Sequence, residues 1–188
     1  MVGTVTRVVV GYTTSIDGFV ADEQGGVERL YPDLADLQDK PYMKDLIADT
    51  GAVLMGRHTF QMGDPDTLAD NYEFQVPIFI VTHRPPAHHP KENGRISFTF
   101  VTDGVEPAVR LAKAAAKDRN VMVVGGANLA RQLFAANLVD ELHVDVMPVL
   151  LGSGLRFWGG AGLEHLRLET IDVSRAGERT TLKYRVIR

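Results

Sequence analysis

The sequence predicts an α/β domain built on a mainly parallel sheet with an antiparallel edge. Short β-branched runs alternate with amphipathic helical stretches as far as about residue 147. Two strand-like segments then close the chain with no helix between them. Strand–helix alternation makes parallel neighbours, and a closing hairpin makes an antiparallel pair. The chain has 188 residues and no internal Pro-, Gly- or Ser-rich linker, so 1–188 is read as one domain.

The first strand is expected over Val5–Tyr12, where Val8-Val9-Val10 suits burial on both faces. Ser15-Ile16-Asp17-Gly18 reads as a turn, and Gly25-Gly26 breaks the chain again. Between Leu30 and Asp49 the pattern is mostly helical, with Leu37, Met43, Leu46 and Ile47 as an apolar stripe and Pro41 in a first turn. Ala52–Met55 is a strand that ends at Gly56, where a helix begins. Val76–Thr82 is another, with Pro77 at its start because proline donates no ladder hydrogen bond. His83–Gly94, with its prolines and the pair His88-His89, is a surface loop. Ile96–Val101 is a strand, and Val105–Asp118 a helix with Val109, Leu111 and Ala112 on one side. Asn120–Val124 is a strand, and Ala127–Asn137 a helix with Leu129, Leu133 and Phe134 at helical spacing. Strands Leu142–Met147, Arg167–Val173 and Thr180–Ile187 complete the chain, the last two joined by a turn at Arg175–Glu178.

Composition excludes several classes. Twenty basic and 24 acidic residues leave a formal net charge of -4, a poor basis for binding nucleic acid. The absence of cysteine excludes disulfides, thiolate metal sites and cysteine nucleophiles. No run of about 18 apolar residues is present, so no membrane span is expected. The N-terminal stretch has no apolar core after a basic start, so the expected location is the cytoplasm. His88-His89 has no evident third ligand, and no metal centre is expected.

Three segments share one design, a buried strand followed by a glycine or polar turn and then a helix. They are Met55-Gly56-Arg57-His58-Thr59, Ile80-Val81-Thr82-His83-Arg84 and Val124-Gly125-Gly126-Ala127-Asn128. In open α/β sheets the crevice at the carboxyl ends of the strands binds ligands, and free helix N–H groups suit phosphate oxygens. Gly125-Gly126 is either a tight turn or a backbone cradle for an anion. Arg57 offers a fork for phosphate, and Thr59 offers either a hydroxyl to the ligand or a helix cap. Thr82, His83 and Arg84 form either a solvated loop or a site for the 2′-phosphate of NADP. Asp145 follows Gly125 on the next strand, as a ribose-binding acid does, but the GxGxxG pattern is absent. Walker A, HExxH and GxSxG sequences are absent as well. Phe157 and Trp158 either pack in the core or line a pocket for a flat ring.

In order, these segments resemble the dihydrofolate reductase superfamily, and most closely the reductase domain of the bacterial riboflavin-biosynthesis deaminase–reductase. Ser15-Ile16-Asp17-Gly18-Phe19-Val20-Ala21 resembles that branch's early motif, and Val53 to Phe60 the motif shared with dihydrofolate reductases. Val123 to Leu129 resembles the glycine pair at the cofactor pyrophosphate. Leu138 to Leu142 with Pro148 to Gly154 resembles a later run of the branch. The resemblance implies a three-layer domain with a central eight-stranded, mostly parallel sheet, NADPH across the strand ends, and a homodimer. Gly56, Arg57 and Thr59 would face cofactor phosphates; Thr82, His83 and Arg84 would lie near the adenosine ribose phosphate. Gly125, Gly126, Ala127, Asn128 and Leu129 would hold the pyrophosphate, Val124 would approach the nicotinamide, and Ser15, Asp17 and Gly18 would border substrate and nicotinamide.

The implied activity is hydride transfer from NADPH to a small heterocyclic or carbonyl substrate, as in 5-amino-6-(5-phosphoribosylamino)uracil reductase. A true dihydrofolate reductase is the alternative enzyme, and an NADP-binding oligomeric protein without turnover the alternative of another class. The helix acid of dihydrofolate reductases falls here on Lys40, with Asp39 beside it. Asp17 and Asp39 are therefore the candidate catalytic acids. A phosphorylated substrate would also need basic residues outside the cofactor site, for which Arg156 is a scattered candidate.

Overall fold

A computed structural model describes residues 5–37, 39–158 and 163–188. The strands of the main sheet are β1 (Val8–Ser15), β3 (Thr50–Gly56), β4 (Ile78–Val81), β5 (Phe98–Val101), β6 (Asn120–Val124), β7 (Glu141–Met147), β9 (Arg167–Ala176) and β10 (Arg179–Ile187). Their order is β5-β4-β3-β6-β1-β7-β10-β9. The strands from β5 to β7 in that order run parallel, while β10 is antiparallel to both β7 and β9. The expected eight-stranded sheet with an antiparallel C-terminal edge is thus present. The helices are α1 (Leu34–Leu37), α2 (Pro41–Asp49), α3 (Arg57–Phe60), α4 (Leu68–Asn71), α5 (Val105–Ala116) and α6 (Ala127–Ala135).

Strand alternation divides the interior into two cores. Val8, Val10, Leu54, Val121 and Val123 face α5 and α6, where they meet Ala112, Leu133 and Phe134. Val9, Val53, Met55, Ile78, Ile80 and Met122 point the opposite way, against Leu37 and Met43. These layers, helix on sheet on helix, explain why the central strands are apolar at almost every position. In α5 the buried stripe is Ala108, Val109, Ala112 and Ala116, whereas Leu111 is 43% exposed. Two residues along a helix is about 200° of rotation, so Leu111 cannot share a face with Val109. Pro77 lies just outside β4 and contributes its carbonyl, which accepts from Val53 N–H at 2.9 Å. The closing hairpin turns more tightly than expected, on Gly177-Glu178 alone, with Gly177 at φ 64.

A small second sheet went unforeseen. Strands β2 (Phe19–Ala21) and β8 (Leu155–Arg156) pair antiparallel and tie the early turn to the loop after β7. Asp17 reinforces the tie, accepting from Leu151 N–H at 3.1 Å and Gly152 N–H at 2.7 Å. The Arg156 guanidinium lies 4.4 Å over the Phe19 ring. Gly154 is obligatory here, because its φ is 136° and a Cβ would collide with the carbonyl oxygen of Ala21. Replacing Gly154 with Ala is expected to destabilise the fold by about 2–4 kcal/mol, combining steric overlap with backbone strain. Denaturant unfolding measures this, and an unchanged midpoint would contradict the described junction.

Candidate functional site

The carboxyl ends of β3, β4 and β6 open onto a cleft of about 520 Å³. Gly56, Arg57, His58 and Thr59 line one side, Thr82, His83 and Arg84 another, and Gly126, Asn128 and Leu129 a third. Three strand ends far apart in sequence therefore converge, two of them strand-to-helix junctions as expected, whereas β4 continues as a loop into β5 and no helix follows Arg84. Gly126 is the N-cap of α6, at φ 69, and no side chain caps this end. The first helical bond runs from Ala130 N–H to Gly126 C=O. The N–H groups of Ala127, Asn128 and Leu129 precede it, leaving them without acceptors inside the helix.

The glycines here serve different purposes. At Gly125, φ is 64° and a Cβ would come within 2.6 Å of Thr59 Oγ1, so close packing demands glycine. Thr59 is the third residue of α3, whose N-cap is Gly56, so it packs on Gly125 instead of capping. At Gly56 the backbone is ordinary, with φ -86, and a Cβ would meet nothing closer than Leu129 Cβ at 3.9 Å. A side chain there is compatible with the fold, but it would occupy the cleft.

Charge in the cleft runs against that of the chain. Arg57 and Arg84 are exposed, and neither forms an ion pair among the described residues. His58 and His83 join them, and the residues that line the cleft include no Asp or Glu. Thr82 is buried, and its hydroxyl accepts from Arg84 N–H and donates to Arg84 C=O, both at 3.1 Å. It braces the backbone of Arg84 and is not directed outward as a free ligand. The donors and cations suit phosphate oxygens, so this cleft fits a dinucleotide phosphate.

A second cavity, of about 120 Å³, lies on the α2 face of the sheet. Val124, the residue before the glycine pair, forms part of its wall. Tyr31, Tyr42, Phe74 and Met43 close its sides, and Glu73, His143, Asp145 and Arg179 supply polar groups. Asp145 accepts from Tyr42 Oη at 2.9 Å and Thr181 Oγ1 at 2.6 Å. It also faces Arg179 Nη1 at 3.8 Å. Arg179 is 1% exposed and bonds Asp33 through Nη2, yet its Nε has no partner. The ring of Tyr31 lies 5.8 Å from the guanidinium carbon. Burial, then the Asp145 carboxylate, raises the phenol of Tyr42 well above its usual range.

Other anticipated residues fall elsewhere. The Ser15 hydroxyl accepts from Phe19 N–H at 3.0 Å, and Gly18 donates its N–H to Ser15 C=O with φ 84. Hydrogen bonding to Ser15, Gly152 and Leu151 holds the Asp17 carboxyl down to about 2. Such a group carries no proton at neutral pH and shapes a loop. Asp39 is exposed before α2 and lines neither cavity. Ala127 packs in the core. Asp145 belongs to the second cavity, not to a ribose site beside the glycines. Arg156 binds the backbone carbonyl of Asp17. Phe157 stacks on Tyr12 at 3.6 Å in the core, whereas Trp158 is 41% exposed, packs edge-on against Phe134 and lines a surface groove. His88 and His89 do have acidic neighbours, Asp66 at 3.8 Å and Glu92 at 3.0 Å. Among the described residues no three such side chains gather as a metal site.

Sequence reasoning missed Tyr31, Tyr42, Glu73 and Arg179. The one usable signal was Arg179-Thr180-Thr181, a charged residue two positions before a small polar one in a strand, which places both on one face.

Solved structures share this architecture. A putative riboflavin biosynthesis protein from Shewanella sp. PV-4 superposes with a TM-score of 0.76 at 19% identity, covering 97% of this chain and 100% of that one. The diaminohydroxyphosphoribosylaminopyrimidine deaminase/5-amino-6-(5-phosphoribosylamino)uracil reductase of Thermotoga maritima gives 0.69 at 14% identity, covering 97% of this chain but 57% of that one. Dihydrofolate reductase from Enterococcus faecalis gives 0.61 at 13% identity, covering 97% of each chain, so the fold is dihydrofolate-reductase-like. The sequence pattern of the RibD C-terminal domain matches residues 6–182, a span that holds all three cleft-forming junctions and Arg179, and the chain belongs to that family.

Proposed function

We propose that the protein is a cytoplasmic, homodimeric, NADPH-dependent reductase of a small heterocyclic or carbonyl substrate of the 5-amino-6-(5-phosphoribosylamino)uracil type. The family and the solved neighbours indicate a reductase-like oxidoreductase. One observation carries the cofactor assignment: a net-negative chain gathers two arginines, two histidines and an uncapped helix end in one cleft, where among the described residues neither arginine has an ion pair and no acid lines the wall. Ala127, Asn128 and Leu129 would hold the pyrophosphate through their N–H groups. Arg57 and Arg84 would hold the adenosine phosphate, with Thr82 fixing Arg84. When bound, NADPH supplies a hydride from its dihydronicotinamide, and the protein supplies orientation and exclusion of water. Val124, in the wall of the second cavity, precedes the glycine pair whose Gly126 lines the first, and the second would hold the substrate.

The homodimer rests on the open edge of the sheet. Strand β9 exposes Leu168, Ile171 and Val173, and a groove lined by Trp158, Phe134 and Leu166 continues from Leu168. An apolar edge strand with free backbone groups suits a second copy of the chain. Sedimentation is expected to give twice 20.6 kDa for the native chain and 20.6 kDa for Leu168→Glu. A native monomer would overturn this part of the reading.

Thermal shift tests the cofactor. NADPH at a hundred times its Kd stabilises by about 2.7 kcal/mol, which raises Tm by roughly 5–10 °C for a domain of this size. Gly56→Val is expected to keep the native Tm without nucleotide and to lose this rise. Retention of the rise would remove the cleft from cofactor binding. Arg84→Ala is expected to weaken NADPH by about tenfold to a hundredfold while leaving NADH nearly unchanged. Equal effects on both would separate Arg84 from the 2′-phosphate. Cofactor oxidation with 5-amino-6-(5-phosphoribosylamino)uracil, with dihydrofolate in parallel, tests the substrate. Turnover of dihydrofolate alone would contradict the assignment.

A further inference from the structure

Resting on that reductase reading, we infer that Glu73 is the acid that gives the substrate its proton. Glu73 lies in the short connection between α4 and β4 and lines the second cavity together with Val124. Two carboxylates line this cavity, and they differ in one respect. Asp145 is engaged on both oxygens, by Tyr42 and Thr181, and it faces Arg179. Glu73 has no ion pair and no side-chain partner among the described residues, its only hydrogen bond being to its own backbone N–H.

The surroundings favour a proton on Glu73. The titratable and charged groups around the cavity are Tyr12 on β1, Tyr31, Tyr42 on α2, His143 and Asp145 on β7, and Arg179 on β10. Tyr72, the neighbour of Glu73 in the chain, is coupled to it electrostatically. Of the basic groups in that set, Arg179 is committed to Asp33 and Asp145, and His143 lies 3.1 Å from Glu141. With no cation of its own, Glu73 is pushed above the usual carboxylate range by burial. An environment that favours the protonated carboxyl is what general-acid catalysis requires.

The carbon of a substrate C=N bond accepts a hydride, and the π electron pair moves to the nitrogen. The nitrogen takes the carboxyl proton of Glu73, leaving a carboxylate that solvent reprotonates. The hydride donor is a dihydronicotinamide, which leaves oxidised.

Two measurements test this. The first needs no substrate. Below about pH 4.3 Glu73 is protonated in both the folded and unfolded states, and its effect on stability is neutral. As pH rises the unfolded chain ionises first, so native stability falls until the folded pKa is passed. Glu73→Gln lacks this loss, so its Tm advantage over the native protein is expected to grow as the pH rises from 4 to 8. A difference that is flat with pH overturns the inference, whatever the substrate. The second measurement is single-turnover oxidation of NADPH by 5-amino-6-(5-phosphoribosylamino)uracil. Glu73→Gln is expected to be slower by about a hundredfold or more at neutral pH, with its NADPH Kd unchanged. Glu73→Asp is expected to recover part of the rate. The native rate is expected to fall tenfold per pH unit above the Glu73 pKa, and the Gln variant to show no such slope. An undiminished rate, or a loss equal at every pH, overturns the inference. Absence of native turnover while NADPH still raises Tm counts against the substrate reading, and the Tm series then decides on Glu73 by itself.

Discussion

Thr59 packs on the backbone of Gly125, so closely that a Cβ on this glycine would come within 2.6 Å of the threonine hydroxyl. This contact sets the distance between the β3–α3 and β6–α6 junctions. With the two junctions drawn together, the free N–H groups of α6 and the cations after β3 and β4 face one cleft. The same turn leaves Val124 on the opposite side of the sheet's upper edge, in the wall of the cavity under α2. A larger residue at Gly125 would separate the junctions and, with them, the two halves of the site.

Charge is segregated across that edge. The cleft holds Arg57, Arg84, His58 and His83 without an acid, while the cavity under α2 holds Glu73 and Asp145 with one committed arginine. On a chain with net charge -4 this arrangement requires local concentration of cations, and a concave site focuses their field. The face of the sheet changes character to match. It is apolar on β3, β4 and β6, where α2 and its neighbours cover it, and polar on β7 and β10, where Asp145, Thr181 and Lys183 stand side by side.

Most of the sheet was legible because its strands are short β-branched runs buried on both faces. The cleft was legible because two of its walls are local strand–turn–helix motifs and the third is the polar end of a short apolar strand. The cavity under α2 was not. Tyr31, Tyr42, Glu73, Asp145 and Arg179 come from five separate segments, and no local period or spacing joins them. Asp145 was noticed only by its distance from Gly125, a spacing that pointed to a ribose rather than to Tyr42 and Thr181. Asp17 and Asp39 stood out as acids near recognisable motifs, but the carboxylate of Asp17 is consumed by backbone N–H groups and Asp39 is exposed outside both cavities. The β2–β8 pair escaped because two or three residues carry no periodicity. Only its long-range partners, Asp17 with Gly152 and Arg156 with Phe19, define it.

The central claim is that one ligand spans the sheet edge, with its phosphates in the cationic cleft and its reactive ring at Val124. A crystal structure with NADP⁺ tests it most directly. The account predicts the pyrophosphate on the N–H groups of Ala127, Asn128 and Leu129, the adenosine phosphate between Arg57 and Arg84, and the nicotinamide against Val124 facing Glu73. A dinucleotide bound elsewhere, or reversed so that its adenine meets Val124, would contradict it.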